Sequence, residues 1–344
     1  MKSYAFIFVA LFATLLAGAQ NIAVVSPSNT TTICQTLDEA ISKAIGGSVI
    51  YLPGGGFQVS NETVIDKPLT IMGVSHRGDT ENADGASIIS GRLNFTGNSS
   101  GSAVIGVFVS GNIDVGQDGE GATGVENLTL RYCNVNSIQV HNSLSTGMVV
   151  NQCYLRTTSQ FNNTNVKLSN CIVHSLKDIN GGTINHNVVT SKYDRYDGVS
   201  WSGWPLYTYL PLCNISSSTI TNNIFLDWNS GHTGDNSYAS NNCIGTGSWG
   251  DNPVVAPEMP EGTNLWNVLF GEGNNKGVNI FSDYKVKASW AKGKASDGTD
   301  IGIYGGTGFS DDALAPIPRI VSKKVAEQTD ATGRLRIEIT VKAE

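Results

Sequence analysis

Asn151-Gln152-Cys153-Tyr154-Leu155 and Ser169-Asn170-Cys171-Ile172-Val173 are two copies of one short pattern. Arg131-Tyr132-Cys133-Asn134-Val135 precedes them. Asn185-His186-Asn187-Val188-Val189, Thr221-Asn222-Asn223-Ile224-Phe225 and Asn241-Asn242-Cys243-Ile244-Gly245 follow. Their central residues lie 20, 18, 16, 36 and 20 positions apart. Strand-like runs such as Leu128 to Leu130 or Val166 to Leu168 lead into the copies, and polar turns leave most of them. A unit of this size cannot bury its apolar side alone, whereas stacked copies pile equivalent positions into continuous ladders. Cys133, Cys153 and Cys171 are expected to form an interior ladder, continued by Asn187 and Asn223 and closed by Cys243. Buried free cysteine behaves as a small hydrophobe, and in-register parallel strands offer poor disulfide geometry. Packing is therefore preferred to a disulfide framework. Asn142, Asn162 and Asn180, nine residues after their respective cysteines, suggest an amide ladder at a turn.

Working outward, Thr36 to Glu39 has capping-box spacing. Leu37, Ala40, Ile41, Ala44 and Ile45 then share one helical face, which Gly46-Gly47 ends. A strand follows at Val49 to Leu52 and is broken by Pro53 to Gly56. Such a helix would cover the first strand edge of the stack. Further strand-like runs stand at Thr63–Ile65, Leu69–Met72, Ser87–Ile89 and Val104–Val109. The helix followed by Ser48 to Gly54 (SVIYLPG), the repeated Cys/Asn rungs and the closing Asp300 to Gly306 (DIGIYGG) together resemble the pectate-lyase-like family. The likeness covers roughly residues 22–306 and points to the exported members found in carbohydrate-degrading bacteria. It implies an all-β fold, a right-handed parallel β-helix (solenoid) with a short N-terminal capping helix and a C-terminal two-strand tail. That family includes lyases, hydrolases, esterases and adhesins, so the fold alone does not choose an activity.

The chain begins as an exported protein would. Lys2, an apolar run from Tyr4 to Leu16 and Ala17-Gly18-Ala19 make a signal peptide over 1–19. This run is too short to span a bilayer comfortably, and no further transmembrane stretch follows it. Secretion, a cell-surface location or the periplasm is the expected destination, for a protein acting as a monomer. The β-helix domain is expected at 20–306, a linker at 307–318 and a β tail at 319–344. In the tail, Ile320–Val325 and Arg334–Val341 read as strands around a Thr329–Gly333 turn. Leu335, Ile337, Ile339 and Val341 alternate with polar residues, a pattern that favours docking of the tail on the coils over attachment elsewhere. Thirty-nine glycines and only 15% charged residues fit many short strands and tight turns. Net charge is −7, with no Lys/Arg run; nucleic acid is thereby excluded as a partner.

Chemistry is sought where the spacing breaks. The 36-residue interval contains Tyr193, Asp194, Arg195, Tyr196, Trp201, Trp204, Tyr207 and Tyr209, read as a lateral loop. Lys177 and Asp178 stand six and seven residues beyond Cys171, and Tyr193 and Asp194 stand at the same offsets from Asn187. Asp227 and Trp228 follow in the next unit. The candidate catalytic residues are accordingly Lys177, Asp178, Asp194, Arg195 and Asp227. Tyr193, Tyr196, Trp201, Trp204 and Trp228 are candidates for stacking on sugar rings. Lys177 or Arg195 would serve β-elimination, with Ca²⁺ held by Asp178, Asp194 and Asp227; paired carboxylates would instead serve glycoside hydrolysis. A solvated face of ordinary charges is the plain alternative, and the aromatics equally suit packing of the loop. His141, His174 and His186 are expected at turn or ladder positions. The overall expectation is an exported protein that binds or processes polysaccharide, the alternative being a non-catalytic structural or adhesive surface protein. A neutral glycan, or an acidic one bridged by Ca²⁺, suits the negative charge.

Overall fold

The computed structural model describes residues 21–61, 63–77, 85–119, 121–191, 193–199, 202, 205–226, 232–233, 236–245, 249–257, 264–271, 282–310, 319–330 and 332–342. The expected signal peptide and residues 311–318 of the expected linker lie outside them.

The protein is mostly β. It contains an 11-stranded, a 10-stranded and an 8-stranded sheet. From Ser48 onward the chain visits them in cyclic order: Ser48–Leu52 in the first, Gly55–Gln58 in the second, Val64–Ile65 in the third, then Leu69–Gly73 beside Ser48–Leu52. Each pass pairs in parallel with the one before it, as at Asn134↔Tyr154, Thr129↔Val149 and Ile113↔Ile138. This arrangement is consistent with a β-helix. The two-residue strands of the second sheet suffice because each pass places an apolar residue inward. Ile71, Val104, Leu130, Val150, Leu168 and Ile184 stack in the first sheet and Ile89, Val109, Val135, Leu155 and Val173 in the second, all buried. The expected run Val104–Val109 is in fact two strands, Ala103–Ile105 and Phe108–Val109, bent at Gly106 with φ +66°.

Tyr132, Gln152, Asn170, His186, Asn222 and Asn241 occupy the same bend in later passes, every one left-handed with φ between +52° and +61°. The next residue points inward and builds the ladder. Cys133, Cys153 and Cys171 stack there, and all six cysteines are free and buried. Burial pushes the Cys133 and Cys153 thiols well above the usual range. Beyond Cys171 the ladder is amide. Asn187 Oδ1 accepts from the Cys171 N–H at 2.8 Å, and Asn223 Oδ1 accepts from both Asn187 N and Nδ2. Asn242 Oδ1 accepts in turn from Asn223 N and Nδ2 at 3.0 Å. The closing residue is thus Asn242, one position before the expected Cys243. Cys243 sits on the outer face of the second sheet beside Ile224 and Val254.

The second expected amide ladder does not form. Asn162 (φ +46°), Asp178 (φ +57°) and Asn214 (φ +55°) are the left-handed residues at the third-sheet bend. Asn142 is buried and bonds the Gln117 carbonyl, and Asn180 lies exposed beside Ser216.

At the N-terminal end the helix Leu37–Lys43 is capped by Thr36, whose hydroxyl accepts from Glu39 N at 3.1 Å. Glu39 reaches back to Gln35 N, one residue before the box position, at 2.8 Å. Ile45 falls beyond the helix and is exposed rather than on its apolar face. Ile22–Val25 pairs antiparallel with Thr31–Cys34 and with Ser48–Leu52, closing that end.

A second core lies outside the sheets. Ile172, Val188, Ile224 and Cys243 on the outer face of the second sheet pack with Leu265, Trp266, Phe270, Tyr284, Ile301 and Ile303. The left-handed bends clamp this cover: Asn170 Nδ2 donates to the carbonyls of Ile303 and Gly305, Asn222 Oδ1 accepts from Ser296 N, and His186 Nε2 meets Asp297 Oδ2 at 3.1 Å. The tie extends into the expected linker, since Thr307 bonds Asn170 and Ser310 N bonds Gln152. The tail is an antiparallel pair, Arg319–Thr329 with Leu335–Lys342. Its turn is held by Asp330, whose carboxylate accepts from Thr332 and from Arg334 N. Leu335 to Val341 are exposed on both faces, so the apolar row does not dock on the coils as expected.

Candidate functional site

With the second sheet covered, the outer face of the third is the one that gathers polar chemistry. Its register aligns Asn94, Asp114, Gln139, Gln160, Lys177 and Cys213 on successive passes, and His232 continues the line. Adjacent strands lie about 4.8 Å apart, so Lys177 stands roughly 14 Å along the stack from Asp114.

Lys177 therefore stands in this row, but its neighbour in the next pass is Cys213 and not Tyr193 or Asp194 as the offsets implied, because 193–210 leave the stack as a hairpin. Its Nζ is 3.7 Å from Asp178 Oδ2. Asp178 occupies the left-handed bend, and Asn214 Nδ2 donates to its Oδ1 at 2.8 Å. Its conformation and its bond to the next pass give it a structural duty. The long interval is an antiparallel hairpin, Tyr193–Val199 with Pro205–Leu210, pairing Asp194 with Tyr209, Arg195 with Thr208 and Tyr196 with Tyr207. Both roots stay in the stack: Ser191 N bonds His174 O, and Leu176 N bonds Pro211 O. The hairpin thus emerges just before Leu212–Ser216 of the third sheet, next to Lys177. Trp201, Trp204, Asp227 and Trp228 lie outside the described residues. Among the described residues no group of three His, Cys, Asp or Glu is placed to hold a metal ion. Of the three aspartates expected for Ca²⁺, only Asp178 has a described side chain.

Two other basic side chains have structural partners. The Arg156 guanidinium donates to the carbonyls of Val109 and Ser110 and lies 4.8 Å from the Phe108 ring centre. His186 is buried in the bend ladder, as expected.

His141 differs. It follows the strand Ile138–Val140 and lines a groove of about 370 Å³ with Val64, Arg92, Phe95, Asp114, Gln117 and Asp118. Its backbone is held from both sides, its N–H by Val115 O and its carbonyl by Asn162 Nδ2. The ring Nε2 is 2.9 Å from Asp114 Oδ1. Arg92 Nη1 approaches Asp114 Oδ2 to 3.5 Å from the preceding pass. Asp114 is only 8% exposed, and its Oδ2 receives no hydrogen bond. The two oxygens of this buried carboxylate thus face two basic side chains that line one groove.

Of this cluster only Asp114 left a signal in the sequence. Lys177 stands six residues after Cys171; Gln139 stands six after Cys133, Gln160 seven after Cys153, and Asp114 seven after Val107. Val107 occupies the ladder position, as the bond from Asn134 N to its carbonyl shows. It is neither Cys nor Asn, so the earlier passes carry no visible index.

Comparisons with protein families, curated proteins and solved structures found no match for this chain.

Proposed function

We propose that the chain is an exported right-handed parallel β-helix, akin to the pectate-lyase-like family, that binds or processes a polysaccharide along its third-sheet face. The observation that carries this reading is the groove at Asp114, opening onto a stripe of polar side chains repeated once per pass. A repeat of about 4.8 Å is close to the length of one sugar ring, so an extended glycan meets one outward side chain per sugar. Carboxylate, amide and amine groups suit its hydroxyls. Tyr193, Tyr196, Trp201, Trp204 and Trp228, in or near the hairpin in sequence, are the aromatic residues proposed to stack on its sugar rings. Lys177, Asp178, Asp194, Arg195 and Asp227 are the charged groups proposed to act on the substrate, with Ca²⁺ as a ligand that Asp178, Asp194 and Asp227 would share. A neutral polymer fits the net charge of −7.

Affinity electrophoresis through gels containing neutral or acidic polysaccharides tests this. Retardation by at least one polymer, weakened by Lys177→Ala or Asp114→Ala, is expected. Migration unchanged in every gel would end the reading. One observation favours a structural or adhesive role instead: Val325, Leu335, Ile337, Ile339 and Val341 are 46–58% exposed on the tail hairpin, an apolar row of the kind that marks interaction surfaces. That role predicts attachment to cells that is lost on removing 319–344 and no retention by any glycan.

A further inference from the structure

We infer that the Arg92, Asp114 and His141 groove is a hydrolytic centre for acyl esters carried by the glycan, with His141 as general base. This rests on the polysaccharide reading and goes beyond it by naming a reaction and its groups.

The geometry assigns one role to each side chain. Asp114 Oδ1 lies 2.9 Å from His141 Nε2, an arrangement that keeps the imidazole proton on Nε2 and leaves a lone pair on Nδ1. No described residue hydrogen-bonds Nδ1, and the ring is 45% exposed at the groove. A base that is oriented from behind and open in front is the arrangement that activates water. Arg92 flanks the same carboxylate on its other side, half exposed, with N–H donors left for an anion. Base and cation are thus held by one buried acid, 27 and 22 residues away in sequence.

The same arrangement disfavours the two-carboxylate route. Asp114 is engaged by His141 on one oxygen and approached by Arg92 on the other, so it is not free to protonate a leaving group or attack a sugar carbon. Asp118 is the other carboxylate in the lining. A polyuronate would have to approach a protein of net charge −7, whereas an O-acyl glycan is uncharged. Val64 and Phe95 give the groove an apolar side suited to a short acyl chain.

The step balances. His141 Nδ1 takes a proton from water as the water oxygen bonds to the acyl carbon. The carbonyl π pair moves onto its oxygen, where Arg92 stabilises the charge. Collapse breaks the bond to the glycan oxygen, which recovers the proton from His141. One ester and one water become one acid and one hydroxyl. Asp114 is a positioning residue that fixes the tautomer and stabilises the imidazolium.

Release of acetic acid from O-acetylated xylan, with 4-nitrophenyl acetate as a second probe, tests the assignment. Wild type should release acid, with an acid limb in its pH profile. His141→Ala should lose at least about 100-fold in kcat while keeping the wild-type circular dichroism spectrum. Asp114→Asn should lower kcat with little change in KM and distort the acid limb. Free imidazole should restore part of the rate to His141→Ala. Retention of the acetylated polymer in gels without acid release overturns this inference and leaves the polysaccharide reading intact, as does undiminished hydrolysis by His141→Ala. Failure to bind any polymer removes both.

Discussion

Single residues carry two different duties at neighbouring positions of one bend. Tyr132 and its counterparts accept a left-handed backbone, which costs a non-glycine residue on the order of 1 kcal/mol, and Asn170 and Asn222 there also clamp the cover. The next residue faces inward, where volume and polarity are both tightly matched. Cys153→Ala should cost only about 1 kcal/mol, because a small apolar group replaces a slightly larger one. Cys153→Asp should cost more than about 4 kcal/mol, since no cation or donor set awaits a charge there. Asn223→Ala should fall between, at about 3 kcal/mol: it removes the acceptor for Asn187 N and Nδ2 and the donor to Asn242 and the Ile184 carbonyl. Urea midpoints of the three variants would check the ranking, and an Asn223→Ala midpoint equal to wild type would contradict the ladder.

Among the elements, the cover over the second sheet has a hold that depends on pH. Burial opposes ionisation of Asp297. The Thr299 hydroxyl, the Thr299 N–H and the His186 imidazole outweigh that and hold its carboxyl below the usual carboxylate range. Asp283 is depressed likewise, through Lys285 N and Lys287 against the same opposing burial. A depressed carboxyl adds stability above its unfolded pKa and loses it as pH falls through the folded value. Acidification below the ordinary carboxylate range should therefore loosen 283–310 before the coils, a small effect because both groups are partly solvated. Hydrogen exchange resolved by peptide should show the cover opening first, and Asp297→Asn should shift that opening toward neutral pH. Elements were legible in sequence where a repeat position held the same residue type. The Cys153 and Cys171 bends declared themselves, whereas Asn241 and Asn242 both suit the pattern, so the last copy slipped by one. The groove was less legible, because Arg92, Asp114 and His141 belong to three passes and form no motif. Tail alternation was plain, but alternation reports which residues share a face and not whether anything covers that face.

For the whole molecule, stacking decides what can be removed. Successive ladder residues from Asn223 to Asn242 are 19 apart, while Asn187 to Asn223 spans 36. Excising 194–209 leaves 36 − 16 = 20 residues between them, an ordinary pass. That variant should unfold cooperatively near the wild-type midpoint and lose glycan retention at the hairpin end of the face. A collapsed midpoint would mean that the hairpin is part of the stack and not an outgrowth from it. The groove at Asp114, roughly 14 Å away, should keep its hydrolytic rate on the small nitrophenyl probe. The six free thiols, finally, bear on how the protein can be made. A chain held together by stacking rather than by cystine requires no oxidant, no isomerase and no particular cellular redox poise to reach its shape. Kept in reductant from denaturation through renaturation, it should return to the same product as it does in air.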